Sequence, residues 1–303
     1  MGKGTGHGKI IIFGEHFVVY GAPAVAAGIS NTANVEVRKS DKNRIITKQR
    51  VVEELSLAGI ASVLSAMGIK ESYDVHLTGD LPTEGGLGSS AAFCVGLVRA
   101  LADEKRLHLE PEQVNRYAYE GEKAFHGNPS GIDNYIATHR GVLEFTRGRT
   151  PLENKFMKLE LERPLDFVVS MTGKIGSTPK MIEAVRRFKE ADEGEFQQLR
   201  DEYFKIATEG RKFIEKGKID EIGSLMNANQ ALLSELGVSD ERNDRIAALA
   251  TEAGALGAKL TGGGGGGSCI ALAKDRKHAE SIAAALSREG FVSFATSVDS
   301  KPR

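Results

Sequence analysis

The chain is predicted to fold as two domains, an α/β half followed by a helix-rich α+β half, and two observations predict this. Its 303 residues, 41% of them hydrophobic, suffice for two modest cores. The first half mixes short apolar runs with amphipathic segments, whereas the second half strings several helical patterns between a few strand patterns. The boundary is placed just before Leu165, giving domains of residues 1–163 and 164–303.

Residues 9–14 are an apolar run closed by Gly14, which predicts a buried strand entering a functional turn, and residues 24–29 form the next apolar element. Residues 34–38 alternate apolar with polar. Leu57, Ile60, Leu64 and Met67 fall at helical spacing within residues 53–67, and residues 73–78 then alternate as a half-buried strand. Helices are predicted over residues 90–101 and 111–126, the second opened by Pro111, whose missing N–H costs nothing in a first turn. A buried strand over 165–171 follows, then helices over 179–189, 195–216, 218–236 and 241–256. Strands at 268–273 and 291–296 flank a last helix over 275–288.

Composition excludes several functions. Forty Lys and Arg against forty-one Asp and Glu leave no bulk positive field for nucleic acid or an anionic membrane, so any anion must be held locally. The two cysteines, Cys94 and Cys269, lie in apolar runs, which argues against a disulfide framework and for a reducing cytoplasm. No run approaches the ~20 apolar residues of a membrane span, and the glycine-rich residues 1–9 lack a signal-peptide core.

The chemistry-bearing segment is Pro82, Thr83, Glu84, Gly85, Gly86, Leu87, Gly88, Ser89, Ser90, Ala91 and Ala92, between a predicted strand and a helix. Glycines let backbone approach an anion, the helix N-terminus adds free N–H groups, and Ser89 and Ser90 add hydroxyls, so a polyphosphate is the natural guest. No Gly-Lys-Ser/Thr follows, so this is not a Walker A loop. Taken alone, the segment reads more readily as a tight turn with Ser89 capping a helix than as a phosphate site.

Three further segments complete a pattern: residues 8–21 with Lys9, Gly14, Glu15 and His16; residues 120–134 with Glu122, His126, Pro129, Ser130 and Asp133; and residues 259–268, where Gly262 to Gly267 form an unbroken glycine run. In this order they resemble the GHMP kinase superfamily, and within it the mevalonate kinases of archaeal type. Gly6 and His7 stand where the family usually has Ala or Ser then Pro, and Gly263 and Ser268 where Ala and Cys are common.

The resemblance implies an N-terminal α/β domain with left-handed-type βαβ topology and a ferredoxin-like α+β C-terminal domain, with ATP and substrate in the cleft between them. It implies ATP-dependent phosphorylation of the mevalonate 5-hydroxyl in isoprenoid precursor synthesis, with Mg²⁺ required and a homodimer expected. It makes Asp133 the catalytic base and Lys9 its cationic partner, Ser90 and Glu122 the metal ligands, and Glu15, His16, Ser177 and Thr178 the substrate side. Gly263 and Gly264 join the phosphate loop in holding ATP. Read without the family, Asp133 suits an Asx turn, Lys9 a surface lysine, Glu122 a solvated helix glutamate and Ser177 an ordinary N-cap. Within the class, phosphomevalonate kinase is the nearest alternative, and a nucleotide-binding regulator without chemistry is the alternative outside it.

Overall fold

The computed structural model describes residues 1–49, 51–148 and 153–299. They form two compact units. One comprises Met1–Lys9, Gly28–Thr83 and Leu87–Arg140; the other comprises Ile10–Ala27, Glu84–Gly86 and the chain from Gly141 onward. Two long strands, β1 (Gly2–Phe13) and β2 (Ala24–Ser40), pair with each other and contribute residues to both units.

In the first unit, β3 (Arg44–Thr47) and β4 (Ser72–Gly79) are parallel and joined by α1 (Glu53–Ala66), while β4 runs antiparallel to β2 with Val37 opposite Val75 and Val35 opposite Leu77. Tyr73, Val75 and Leu77 are buried, the alternation expected of a sheet with one covered face. The central helix α2 (Ser89–Lys105) is buried along most of its length. Its Val95, Leu97, Val98 and Leu101 are all fully buried, each worth about 1.5–3 kcal/mol of transfer free energy.

Glycines in β1 explain how a strand lies so close to that helix. A Cβ on Gly2, Gly4 or Gly6 would come within 2.1, 2.2 or 1.9 Å of the carbonyl oxygens of Ala100, Gly96 and Ala92. Every second strand residue thus meets every fourth helix residue, matching the two periodicities. Two more helices pack alongside, α3 (Pro111–His126) and α4 (Ile132–His139). A reciprocal capping box between Glu110 and Gln113 starts α3, and Gly121 lets it approach Val63 of α1 and Cys94 of α2.

In the second unit, β5 (Val142–Thr146) pairs antiparallel with β2 residues 24–27 and with β6 (Lys155–Leu159). A separate antiparallel sheet has the order β10-β7-β9-β8, from β7 (Leu165–Met171), β8 (Gly257–Thr261), β9 (Ser268–Ala273) and β10 (Val292–Val298). Four helices connect β7 to β8: α5 (Thr178–Ala191), α6 (Glu193–Glu215), α7 (Ile219–Glu235) and α8 (Glu241–Glu252). A fifth, α9 (Arg276–Arg288), connects β9 to β10. This is the β-α-β-β-α-β order of a ferredoxin-like sheet. The outer edge of β8 is closed by α7, whose Asn227 and Gln230 side-chain oxygens accept from the Ala258 and Leu260 N–H groups at 2.9 and 2.8 Å.

The helices agree with the sequence reading to within a few residues, but the strands differ. The first strand begins at Gly2 rather than Lys9, and residues 24–29 and 34–38 belong to one strand of 17 residues. Strands β3, β5, β6 and β8 and the helix α4 were not anticipated.

Candidate active site

In the first unit, β1 delivers Lys9 to the start of α2. The Lys9 N–H donates to the Leu87 carbonyl at 2.9 Å, and Leu87 is itself buried, so the loop and the strand are pinned together. Gly85, Gly86 and Gly88 all have positive φ, which glycine adopts without strain and which turns the loop into the helix N-terminus. The Ser89 hydroxyl donates to the Thr83 carbonyl at 2.9 Å and closes the loop on itself. Its proton is therefore committed, whereas Ser90 faces α3.

Three sequence-predicted residues converge here. The Lys9 Nζ lies 3.3 Å from Asp133 Oδ1, and a Cβ on Gly88 would sit 3.0 Å from Lys9 Cγ and 3.8 Å from Asp133 Cβ. Lys9 is buried, whereas the Asp133 side chain keeps partial exposure at the first turn of α4. Asp133 is thus the open end of the ion pair.

Glu122 and Ser90 form the adjoining group. Glu122 lies in α3 at 1% exposure, and its Oε1 has no hydrogen-bond partner among the described residues. Burial, reinforced by the negative charge of Asp133, pushes its carboxyl up to about 8, with Ser90 and Lys9 opposing the shift. His126, one turn beyond Glu122, places Nε2 3.2 Å from Ser90 Oγ and 3.9 Å from Glu122 Oε2.

In the second unit, β1 ends in a turn that carries Glu15 and His16. His16 has a positive φ of 59°, unusual for a residue with a side chain, and precedes a short 3-10 turn (Phe17–Tyr20). Its Nε2 is 2.9 Å from the Gly263 carbonyl and so must carry the proton. Burial lowers its pKa and favours the neutral ring, which leaves Nδ1 as an acceptor, while the Gly263 contact opposes the shift. Glu15 pairs with Lys259 of β8 at 2.5 Å; both side chains are fully buried, and the ammonium also donates to the Leu260 carbonyl at 2.6 Å. Thr261 both accepts from and donates to the backbone of Ile11, at 2.9 and 3.0 Å. The end of β1 and its turn are thus tied to β8 and the start of the glycine run at three points.

The glycine run meets two other predicted segments. A Cβ on Gly263 would come 2.4 Å from Thr178 Oγ1, so glycine at this position makes room for Thr178. Ser177 is the N-cap of α5, yet its hydroxyl makes no capping bond, and the plain capping role is not what it performs. Gly85 and Gly86 also lie here: a Cβ on Gly85 would be 2.5 Å from the buried Ser268 Oγ, and one on Gly262 would be 3.8 Å from the Gly86 carbonyl. A hollow of about 390 Å³ is lined by Val18, Val19, Gly21, Arg147 and Gly148.

Sequence reasoning did not find Lys259, His126 as a side chain in contact with Ser90, or Arg147. A lysine inside the small and apolar run Gly-Ala-Lys-Leu was the available signal for the first.

Two known families match parts of the chain. Residues 53–141 match the GHMP kinases N terminal domain and residues 211–292 the GHMP kinases C terminal domain. The chain is 32% identical to a mevalonate kinase of Pyrococcus horikoshii, over 96% of its own length and 93% of the relative's. It belongs to the GHMP kinase superfamily, in the mevalonate kinase family. A second family member, from Thermococcus gammatolerans, is 31% identical over 96% of this chain and 94% of its own. The fold of this GHMP kinase is similar to the crystal structure of the L. major mevalonate kinase in complex with R-mevalonate. The TM-score is 0.92 at 31% identity, covering 99% and 96% of the two chains.

Proposed function

We propose that this chain is a mevalonate kinase, transferring the γ-phosphoryl of ATP to the 5-hydroxyl of mevalonate. The observation that carries the reading is the Lys9–Asp133 pair beside Gly88, in a chain similar throughout its length to a kinase solved with R-mevalonate bound. Phosphoryl transfer needs positioning and charge neutralisation more than covalent chemistry from the protein. An ordinary aspartate, near 3.9, is about 12 units below an alcohol that resembles water at 15.7. Full deprotonation before transfer would therefore cost about 16 kcal/mol, too much for a useful rate. Asp133 instead orients the hydroxyl and collects its proton as the O–P bond forms. Lys9 stabilises the charge that develops on the transferring group.

The N-terminus of α2 and the positive-φ glycines present N–H groups to the nucleotide phosphates. The donors present fit Mg²⁺: a buried carboxylate oxygen of Glu122 without a hydrogen-bond partner and a neighbouring Ser90 hydroxyl are both hard oxygens. Among the described residues no group of three or more His, Cys, Asp or Glu could hold a metal. When bound, that ion supplies charge neutralisation at the phosphates. On the acceptor side, Glu15, His16, Ser177 and Thr178 bind mevalonate, with His16 Nδ1 free to accept from a substrate hydroxyl. Arg147 is a cation lining the hollow beside the His16 turn, and a guanidinium there matches the substrate carboxylate. The family's two domains divide at 163/164 in this reading, and the working protein is a cytoplasmic homodimer. No helix among the described residues is long and apolar enough to cross a membrane.

The test is ADP release from MgATP with mevalonate, phosphomevalonate, galactose and homoserine in parallel, for wild type and Asp133→Asn. Turnover of mevalonate alone, lost in the variant while ATP still binds, is expected. Turnover of another acceptor would keep the kinase and overturn the substrate. ATP binding without turnover on any of the four would favour a regulator.

A further inference from the structure

We propose that His126 is a positioning residue of the cation subsite, taking the Ser90 hydroxyl proton so that the Ser90 oxygen lone pairs face the ion. The inference rests on the reading of Ser90 and Glu122 as the protein's two cation ligands.

Ser90 has one proton and two acceptors within reach. One is the Glu122 carboxylate, whose raised value is partly offset by a hydrogen bond with Ser90; the other is His126, with Nε2 at 3.2 Å. A cation held by both ligands changes that choice. A hydroxyl pointed at a carboxylate that already serves a cation would aim its own positive end toward that ion, which is repulsive. The proton must turn elsewhere, and the His126 ring stands there.

The placement of the ring is built into α3. His126 follows Glu122 by four residues, so both side chains lie on one face of the last turn. Gly127 then leaves the helix at a φ of 64°, which ends α3 directly after the histidine. The His126 side chain is 55% exposed against 1% for Glu122, so the imidazole covers the outer side of the pair and can turn without disturbing the core. In the neutral ring with the proton on Nδ1, Nε2 is a lone-pair acceptor, the form this role requires.

The test separates this inference from the one beneath it. Mn²⁺ binding in the presence of ADP is followed by the loss of the free-ion electron paramagnetic resonance signal, a readout independent of turnover. His126→Ala should weaken Mn²⁺ binding about tenfold, the equivalent of one hydrogen bond of about 1.4 kcal/mol. His126→Gln, which can place an amide oxygen near the Nε2 position, should recover most of the loss. In a Ser90→Ala background, His126→Ala should add nothing, because the proton it serves is gone. If Ser90→Ala and Glu122→Gln both bind Mn²⁺ as wild type does, the cation subsite itself is misplaced. If those two lose binding while His126→Ala matches wild type, or if His126→Ala weakens binding equally with and without Ser90, the role of His126 is refuted. Circular dichroism and the ADP affinity without metal report whether any variant has merely unfolded.

Discussion

Lys259→Met tests how the turn carrying Glu15 and His16 is held. The ammonium and the Glu15 carboxylate are 2.5 Å apart and both fully buried. At an effective dielectric constant of about 20, two unit charges at this distance attract by about 7 kcal/mol, a gross figure offset by the cost of removing both from water. Their net worth is therefore small, but the penalty for orphaning one is not. Removing a single partner of a buried pair costs about 3–5 kcal/mol. Lys259→Met should lose that much, whereas Glu15→Gln should lose less. Its orphan is a lysine whose pKa burial already lowers, and it can shed its proton. The double variant, neutral on both sides, should recover at least about 2 kcal/mol of the summed losses. Because the chain has no tryptophan, urea unfolding is followed by circular dichroism, with kcat and KM for mevalonate measured alongside. If the losses add within about 0.5 kcal/mol, the charges do not interact and the reasoning fails.

Gly6→Ala should destabilise the first unit severely, since its Cβ would fall 1.9 Å from a helix carbonyl that cannot swing away; a melting temperature within a degree or two of wild type would contradict the close contact. Gly263→Ala should cost about 1–3 kcal/mol through overpacking against Thr178, and Thr178→Ala should relieve that stability loss in the double variant without restoring mevalonate KM. His7 supplies a pH dependence. Burial, then the positive charge of Arg140, lowers it from 6.5 to about 4, so below pH 6.5 the unfolded chain takes up a proton that the folded one refuses. Stability should thus fall as pH drops from 6.5 to 4. The contribution is about 1–2 kcal/mol once the partial exposure of the ring is allowed for, and parallel curves for wild type and His7→Gln would exclude it.

What the sequence made legible was which motif residues come together, and the helices. Lys9, Gly88 and Asp133 were named from scattered motifs and are found side by side, and Ser90 and Glu122 adjoin them. The amphipathic helices α6 to α9 declared themselves through periodicity. The strands hid for identifiable reasons. Residues 2–8 carry four glycines, which resemble a loose leader because glycine disfavours strands; only the partner helix shows that they are a contact face. The start of α4 sits behind Pro129, Ser130 and Gly131, whose turn chemistry masks a helix of eight residues. Lys259 was passed over because lysine is normally exposed, and the glutamate that reverses that expectation lies 244 residues away.

The sealed edge of β8 bears on how copies of this chain could assemble. An outer strand with free N–H groups invites another strand, and sheets that join across a two-fold axis use such edges. Here two side-chain amides already occupy the Ala258 and Leu260 donors, so a neighbouring strand would have to displace α7 to reach them. The opposite border of the same sheet is β10, which begins at Val292 with two-thirds of that residue open to solvent (66%).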